Sequence, residues 1–425
     1  MVNWNRKKLG DKEYFEILRS GIEKFEGEKE YLSTSSIEGN KIIAPEGKIT
    51  YLKRPSRANM QPRLNSVWFA KMINTVKVYS FTKNNEHEIN KYILSTGFCG
   101  ILCNVQKVEP KYLEKIFLSE WFNNLKDSLA SDKAIQKSLN NKDLENLEIP
   151  LPPLPVQQKI VKILDTIQSA VEVQEKIIEK TKELKKALMN LLFHYGLSGL
   201  RIKEFAGLRV DELTSSEIKK LGLKLKKTEI GEIPEYWEVV RLGEVCELRK
   251  EQVIPNPKEK YVGLEHLDTG ESRIRRYGLG SEVKSLKSKF YPKDILYGKL
   301  RPYLDKVAVA EFEGLCSTDL LVVAADEDRV LPNYLVELMH TSGFLSFAIG
   351  TMSGTNHPRT SWDSLRIFKL PLPPLSEQQE IAEILQTIDQ KIEIEKKKKE
   401  LYYELFKTLL NKIMNQEIEV DQLDY

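Results

Sequence analysis

The sequence has few cysteines and histidines and no long apolar run. Its 425 residues include four cysteines and five histidines. A helix that crosses a bilayer needs about 20 mostly apolar residues, and no stretch approaches that length. The first six residues lack the apolar core that a secretion signal requires. We therefore expect a cytoplasmic protein without a membrane span.

The motifs of the common enzyme classes are missing as well. There is no GxxxxGKS/T phosphate loop, no GxGxxG after a strand, no HExxH and no GxSxG. The histidines are not spaced like metal ligands, and the glycine pair Gly278 and Gly280 is too isolated to indicate a nucleotide site. The sequence therefore predicts no catalytic residue, no metal and no cofactor bound by this chain.

The charge balance does not point to a partner. Lys and Arg number 65 and Asp and Glu number 62, which gives a formal net charge of +3. A nearly neutral chain can still carry a local basic patch, so nucleic-acid binding stays possible. A chain of this length is expected to form about two to four domains.

Two of the cysteines, Cys99 and Cys103, have the spacing of half a metal site, but no matching pair stands nearby. Residues 95–99 align with residues 317–321, so that Cys99 stands opposite Leu321 and Leu94 opposite Cys316. A cysteine that exchanges with leucine indicates a small buried apolar side chain. This interpretation is favoured over a metal site.

A proline-rich stretch occurs twice. Residues 150–160 read PLPPLPVQQKI, and residues 371–381 read PLPPLSEQQEI. Each copy leads into a segment without glycine or proline, and we predict long helices over residues 155–196 and 375–416. Proline is well tolerated at a helix start, because that amide has no partner within the helix. Such a repeat indicates one module used twice.

Apolar residues in both long helices recur at alternating steps of four and three, which is the spacing of a coiled-coil seam. Each helix is about 60 Å long at 1.5 Å per residue and must cover its apolar stripe, so the two are predicted to pair in antiparallel orientation. Gln174 and Glu395 occupy equivalent steps, and such polar seam residues fix register. The predicted seam residues are Ile160, Leu164, Ile167, Val171, Ile178, Leu188, Leu192, Ile381, Leu385, Ile388, Ile392, Tyr402, Phe406, Leu409 and Ile413.

The predicted fold class is mixed α+β, with two similar globular domains, two long helices and an internal pseudo-two-fold repeat. The first domain covers residues 1–154 and the second covers 241–374, with a connector over 197–240 and a tail over 417–425. Helical spacing of apolar residues predicts helices over residues 13–25 and 110–129. The order of short strands in the second domain repeats the first, and we align strands 295–297 and 307–310 with residues 49–51 and 68–70.

Basic and polar loops are the candidate sites for DNA contact. Arg, Lys, Asn and hydroxyl side chains contact phosphates and read base edges. Any one such loop is more often a solvated surface, but similar loops at matching places in both domains favour a function. The candidate residues are Lys53, Arg54, Arg57, Asn59, Lys133, Lys137, Lys299, Arg301, Tyr303, Thr355, Asn356, His357 and Arg359.

The paired PLPPL openings, the stretch TEIGEIP at residues 228–234 and ILYGKLRPYL at 295–304 resemble the specificity subunits of type I restriction–modification enzymes. The resemblance covers essentially the whole chain. The first domain departs from the pattern, because no copy of TEIGEIP precedes it and residues 51–56 follow the strand-loop pattern only in part. The contact residues of the second domain are therefore better defined.

The resemblance implies two target-recognition domains held apart by an antiparallel pair of helices. Each domain is expected to read one half of a bipartite, asymmetric target in double-stranded DNA. The helices are expected to set the unread gap and to dock two methyltransferase subunits, and restriction–translocation subunits would complete the assembly. S-adenosylmethionine and ATP with Mg²⁺ would bind to those partners.

Two alternatives remain. A self-contained methyltransferase or nuclease would need a cofactor loop and an Asn/Asp-Pro-Pro-aromatic motif, and neither is found. A coiled-coil adaptor or scaffold would not read DNA directly. A DNA titration over a range of salt concentrations discriminates between reader and adaptor, because phosphate contacts make binding steeply salt-dependent.

Overall fold

A computed structural model describes residues 4–129, 139, 141–206 and 222–418. The chain divides into two compact units: unit 1 comprises Met1–Glu175 with Lys397–Tyr425, and unit 2 comprises Lys176–Lys396. The division falls inside the two long helices, so each unit contains a part of both. Within the described ranges, no helix is long and apolar enough to cross a membrane.

In its described residues, unit 1 combines short strands with three short α-helices. Two four-stranded sheets have the orders β6-β3-β10-β7 and β2-β11-β8-β9, and β1 pairs with β12 and β4 with β5. The strands are β1 Arg6–Lys8, β2 Phe15–Leu18, β3 Lys29–Leu32, β4 Ile37–Glu38, β5 Lys41–Ile42, β6 Lys48–Ile49, β7 Ala58–Met60, β8 Ser66–Ala70, β9 Val78–Phe81, β10 Tyr92–Ser95, β11 Phe98–Cys103 and β12 Glu148–Pro150. The short helices are α1 Pro110–Leu118, α2 Glu120–Leu129 and α3 Asn141–Asn146.

Strand β8 is an inner strand of its four-stranded sheet, and all five of its residues are buried. Successive side chains of a strand point to opposite faces of the sheet. On one face, Phe69 packs against Phe117 of α1 and Phe122 of α2, with ring centroids 4.6 and 5.3 Å away. On the other face, Trp68 lies against Gly100, where a Cβ would come within 2.6 Å of the indole. Both faces are therefore covered, which explains the unbroken apolar run.

The predicted helix over residues 13–25 is wrong. Phe15–Leu18 forms β2, which pairs with β11 so that Leu18 faces Gly100. The neighbouring strand satisfies the backbone of this segment, and that long-range pairing overrides the local helical spacing. The helix predicted over residues 110–129 is present in two parts, α1 and α2, because the chain is extended at Ser119.

Unit 2 has the same kinds of element. Its sheets have the orders β16-β24-β21-β22 and β17-β20-β23-β18-β19, and β13 pairs with β14 and β15 with β25. The strands are β13 Leu225–Thr228, β14 Gly231–Pro234, β15 Glu238–Arg241, β16 Cys246–Leu248, β17 Gln252–Val253, β18 Lys260–Val262, β19 Gly278–Leu279, β20 Lys287–Phe290, β21 Ile295–Gly298, β22 Val307–Val309, β23 Gly314–Cys316, β24 Leu320–Ala325 and β25 Lys369–Leu372. Its helices other than the long ones are α5 Leu242–Val245, α6 Pro332–Met339, α7 Ser342–Gly350 and α8 Trp362–Leu365.

The two units repeat one topology. The order β16-β24-β21-β22 matches β2-β11-β8-β9, and β20-β23-β18-β19 matches β7-β10-β3-β6. The parallel pairs also match, since Leu94 faces Leu32 in unit 1 and Cys316 faces Val262 in unit 2. These matches confirm the mixed α+β class with an internal repeat.

The predicted interpretation of the cysteines is confirmed. Cys99 pairs with Phe69 on β8, and Leu321 pairs with Tyr297 on β21, so the two occupy equivalent places. All four cysteines are free and buried. Burial raises the pKa of the Cys99 thiol to about 12, so it stays protonated and unreactive at neutral pH.

Both predicted alignments, of residues 295–297 with 49–51 and of residues 307–310 with 68–70, are wrong. Residues 295–297 belong to β21, whose place in the sheet order is that of β8, not that of residues 49–51. Residues 307–309 form β22, which corresponds to β9. This shift changes which loops of the two units correspond.

The long helices are α4 Leu154–Ala206 and α9 Leu375–Met414. Helix α4 is interrupted at Gly196, which has a φ of 62° and a ψ of −160°. A Cβ there would lie 2.2 Å from an oxygen of Glu377, so both backbone conformation and space require glycine. The carboxylate of Glu377 accepts a hydrogen bond from the Leu197 amide (3.1 Å) and another from the Trp237 indole (2.9 Å).

Within each unit, α4 and α9 run antiparallel. In unit 1, the start of α4 shares a core cluster with the end of α9, around Ile160 and Ile413, and further along α4 Glu175 binds Lys399 at 2.9 Å. In unit 2, Lys185 Nζ lies 2.7 Å from Asp389 Oδ2, and the later residue 197 contacts the earlier residue 377. Each predicted seam residue is buried or half-buried.

Candidate nucleic-acid interface

Two loops of unit 2 are joined by backbone hydrogen bonds. The β21 loop (residues 299–305) follows β21, and the α7 loop (residues 353–360) follows α7. The Arg301 amide donates to the Pro358 carbonyl (2.8 Å), and the Thr360 amide donates to the Lys299 carbonyl (3.0 Å). Within the α7 loop, Ser353 and Arg359 exchange two hydrogen bonds of 2.9 Å. The two loops thus form one small platform.

All the candidate residues of unit 2 lie on this platform. Arg301 and Tyr303 are exposed on the β21 loop, and Lys299 is half-buried at its base. The exposed residues Thr355, Asn356 and His357 occupy the tip of the α7 loop. The platform therefore presents cations, an amide, a hydroxyl and aromatic rings, which are the groups that contact phosphates and bases.

The charged groups of the platform differ in their partners. Arg359 Nε donates to Asp319 Oδ1 at 3.0 Å, and the Asp319 carbonyl accepts from the Lys299 amide at 3.0 Å. In the part of the chain that the structure describes, no carboxylate lies within 4.0 Å of the charged groups of Lys299 or Arg301. Arg301 is therefore the cation best placed to bind a new partner.

The candidate residues of unit 1 lie elsewhere in the topology. Lys53, Arg54 and Arg57 occupy the connection between β6 and β7, where Lys53 and Arg57 are exposed. Asn59 is half-buried within β7. The Arg54 guanidinium lies 4.4 Å from the centroid of the Tyr51 ring. The remaining two, Lys133 and Lys137, fall outside the described residues.

The loop of unit 1 that corresponds to the β21 loop is the β8 loop (residues 71–77), between β8 and β9. Lys77 Nζ donates to the Thr34 carbonyl at 2.6 Å, as Lys306 Nζ does to Leu264. The Leu139 amide donates to the Lys71 carbonyl (3.4 Å), as Thr360 does to Lys299. The predicted correspondence between residues 53–59 and 299–303 is therefore wrong, because sheet order places them on different connections.

Sequence reasoning missed Lys71 and Asn74 of the β8 loop. A signal was present, since Val-Trp-Phe-Ala-Lys at residues 67–71 and Ile-Leu-Tyr-Gly-Lys at 295–299 share two apolar residues, an aromatic ring, a small residue and a lysine. The structure leaves untested whether residues 53–59 contact DNA, and that stays a prediction.

A buried lysine connects three elements of unit 2. Lys185 of α4 lies 2.9 Å from Glu337 of α6 and 2.7 Å from Asp389 of α9. One cation thus serves two carboxylates. Burial, together with the negative charge of Glu337, raises the pKa of Asp389 to about 6. Glu271 adds a weaker effect in the same direction.

This raised pKa predicts a stability that depends on pH. Folded Asp389 binds a proton more readily than unfolded aspartate, so its unfavourable contribution is largest above pH 6 and fades as pH falls through 6 towards 4. The difference in unfolding free energy between the unmodified chain and Asp389→Asn should change by on the order of 1–2 kcal/mol between pH 7 and pH 5. Denaturation of both proteins at pH 5, 6 and 7 measures this difference. A difference in unfolding free energy that stays the same at all three pH values would contradict the raised pKa of Asp389.

No group of three or more His, Cys, Asp or Glu side chains is arranged to hold a metal in the described ranges. The platform presents hydrogen-bonding and cationic side chains, and it stands on an α+β topology that both units repeat.

The chain belongs to a known family. The family model described as "Type I restriction modification DNA specificity domain" matches residues 1–183 and 234–401. This chain is a specificity subunit that recognises DNA targets for a type I restriction–modification system, and its role is recognition rather than catalysis.

Two curated relatives are similar over long stretches. The putative type I restriction enzyme MjaX specificity subunit of Methanocaldococcus jannaschii is 26% identical over 459 residues, covering 98% of this chain and 94% of the relative. The EcoDI specificity subunit of Escherichia coli is 26% identical over 306 residues, covering 70% of this chain and 67% of the relative.

Solved structures share the fold. A chain from a study titled "Structural basis underlying complex assembly and conformational transition of the type I R-M system" superposes with a TM-score of 0.55 at 19% identity, covering 97% of both chains. The S subunit of a type I restriction–modification system from M. genitalium gives 0.51 at 14% identity, with 97% and 96% covered.

Proposed function

We propose that each unit reads one half of a bipartite, asymmetric DNA target. The observation that carries the proposal is the platform of unit 2, which gathers Lys299, Arg301 and the polar tip of the α7 loop on one surface. Unit 1 has the same sheets, but its β8 loop carries Met72, Ile73 and Asn74 after the shared lysine. Because the two units present different side chains on the same sheet topology, we expect their half-sites to differ.

We propose that α4 and α9 set the gap between the half-sites and dock two methyltransferase subunits. Exposed apolar side chains on α9 support docking, since Leu401 is 69% and Leu405 49% exposed. Restriction–translocation subunits would complete the complex. S-adenosylmethionine and ATP with Mg²⁺ would bind to those partners, and this chain would supply recognition.

Mapping methylated bases genome-wide in cells that carry this chain and its partner subunits tests the proposal. The expected result is a split motif with two unequal halves. A continuous motif would contradict two-unit reading. Transfer of radiolabelled methyl groups to DNA by the purified chain alone would instead make it an enzyme. Binding of the complex to DNA without salt dependence would favour the adaptor.

Lengthening the helices should change only the gap. A heptad inserted into both α4 and α9 at facing positions adds about 10 Å of helix, or roughly three base pairs of duplex. We expect the methylated motif to keep both half-sites and to gain about three unread base pairs. As a control, replacing an existing heptad by one of the same seam pattern should leave the gap unchanged. Altered half-site bases with the old gap would contradict this role.

A further inference from the structure

The β21 loop has two strained corners, one at Arg301 and one at its last residue, Asp305. Arg301 has a φ of 51° and Asp305 a φ of 48°, and both therefore lie in the left-handed region. Between them, Pro302–Leu304 forms one turn of 3₁₀ helix. Residues with a Cβ stay in that region only when surrounding contacts hold them there. The conformation that presents Arg301 thus depends on what holds Asp305.

A buried histidine holds the Asp305 corner. His340 follows the last residue of α6, its side chain is 4% exposed, and its Nδ1 lies 2.9 Å from Asp305 Oδ1. The Asp305 carbonyl accepts a hydrogen bond of 2.9 Å from the Gly270 amide. The residue that follows α6 therefore holds the end of the β21 loop through a side-chain contact.

The β8 loop of unit 1 also has a left-handed corner, and different chemistry holds it. Asn74 of the β8 loop has a φ of 53°. Its amide donates to Asp127 Oδ2 of α2 at 3.0 Å. The neighbouring Lys126, only 1% exposed, donates from Nζ to the Thr75 carbonyl at 2.6 Å. Each unit thus holds a left-handed corner with side chains at a short helix. The residues differ, since unit 2 uses His340 and unit 1 uses Lys126 and Asp127.

We infer that the Asp305–His340 contact in unit 2 and the Asp127 contact in unit 1 fix the recognition loops for base reading. This inference rests on the proposed function. The residues concerned are positioning residues, because they act through the loop. Reading a base edge by hydrogen bonds requires a fixed geometry, whereas phosphate contacts tolerate a mobile cation. Loosening a corner should therefore lower discrimination between targets more than affinity for DNA in general.

The experiment uses the complex of this chain with its modification subunits. Asp305→Gly removes the carboxylate but favours the left-handed corner, so it separates the contact from backbone strain. His340→Leu removes the donor, and His340→Asn keeps an N–H donor near Nδ1. Asp127→Ala is the corresponding change in unit 1. Dissociation constants are measured for the mapped target, for single-base changes in each half-site and for an unrelated duplex, together with melting temperatures.

Asp305→Gly and His340→Leu should lose about tenfold of the discrimination in one half-site, which is the size of one bidentate base contact. Asp127→Ala should lose it in the other half-site, and His340→Asn should keep it. Affinity for the unrelated duplex should stay within about twofold, and Asp305→Gly should melt like the unmodified chain.

The outcomes separate two kinds of failure. If Asp305→Gly discriminates as well as the unmodified chain, or weakens binding to all duplexes equally, the positioning role is wrong. If the unmodified complex itself does not discriminate between targets, the proposed function fails. If Asp305→Gly and Asp127→Ala affect the same half-site, the inference that each contact positions the recognition loop of its own unit is wrong.

Discussion

Replacing Gln157 with leucine is expected to lower the free energy of unfolding by about 3–5 kcal/mol. The side chain is fully buried and makes three hydrogen bonds with backbone groups. Its Oε1 accepts from the Glu109 amide (2.9 Å), and its Nε2 donates to the carbonyls of Lys107 (3.0 Å) and Pro152 (2.8 Å). Leucine would leave these backbone groups without that partner, and each unpaired buried group costs about 1–3 kcal/mol.

The neighbouring Gln158 provides a matched control, because it is exposed. Gln158→Leu should change the unfolding free energy by no more than about 0.5 kcal/mol. Urea denaturation, followed by circular dichroism and tryptophan fluorescence, measures both variants. Equal effects of the two substitutions would contradict the role of Gln157.

The same arrangement recurs at the second proline-rich stretch. Gln378 accepts from the Leu331 amide (2.8 Å) and donates to the carbonyls of Arg329 and Pro373, both at 2.9 Å. In each unit, this glutamine ties the start of a long helix to the chain just before α1 or α6. The repeated sequence motif therefore marks a junction between sheet, short helix and long helix.

Replacing Arg301 with asparagine should weaken binding to the cognate target about 10- to 100-fold, because one good base or charged contact contributes about 1–3 kcal/mol. Asparagine accepts a left-handed φ better than most residues, so the loop should keep its shape. Affinity for an unrelated duplex should fall much less. Equilibrium binding of the assembled complex to both duplexes measures the effect.

Lys293→Asn is the matched control, since Lys293 is an exposed cation of the same unit with a φ of 75°. It lies before β21 and pairs with Glu327 rather than standing on the platform. If both variants weaken cognate binding equally, the effect of Arg301 is that of net charge alone. Arg359 is a poorer test, because its change would also break the contact with Asp319.

The sequence predicted best those elements whose signals are local and long. Both long helices follow from forty-odd residues of uninterrupted periodicity, and α1 follows from an apolar stripe. The helix predicted over residues 13–25 is wrong because residues 15–18 pair with β11. Local spacing carries no information about a strand that lies so far along the chain.

The two polar loops that the sequence singled out in unit 2 lie together in the structure, whereas the loop chosen in unit 1 is not their counterpart. Residues 53–55 read Lys-Arg-Pro and residues 299–302 read Lys-Leu-Arg-Pro, so similarity of letters suggested an equivalence. Sheet order decides equivalence instead, and it pairs the β21 loop with the β8 loop. The contact of Asp305 with His340 had no sequence signal, because it depends on how α6 ends beneath the loop.

The hydrogen bonds that join the β21 and α7 loops have a consequence for evolution. They are made by the backbones of Arg301, Pro358, Lys299 and Thr360, and any amino acid with an amide can supply such donors. Outward side chains at positions with an ordinary backbone conformation, such as Thr355 and Asn356, can therefore be exchanged by mutation while these hydrogen bonds are kept. On the proposed function, a few substitutions there would change the DNA target without an intermediate that fails to fold.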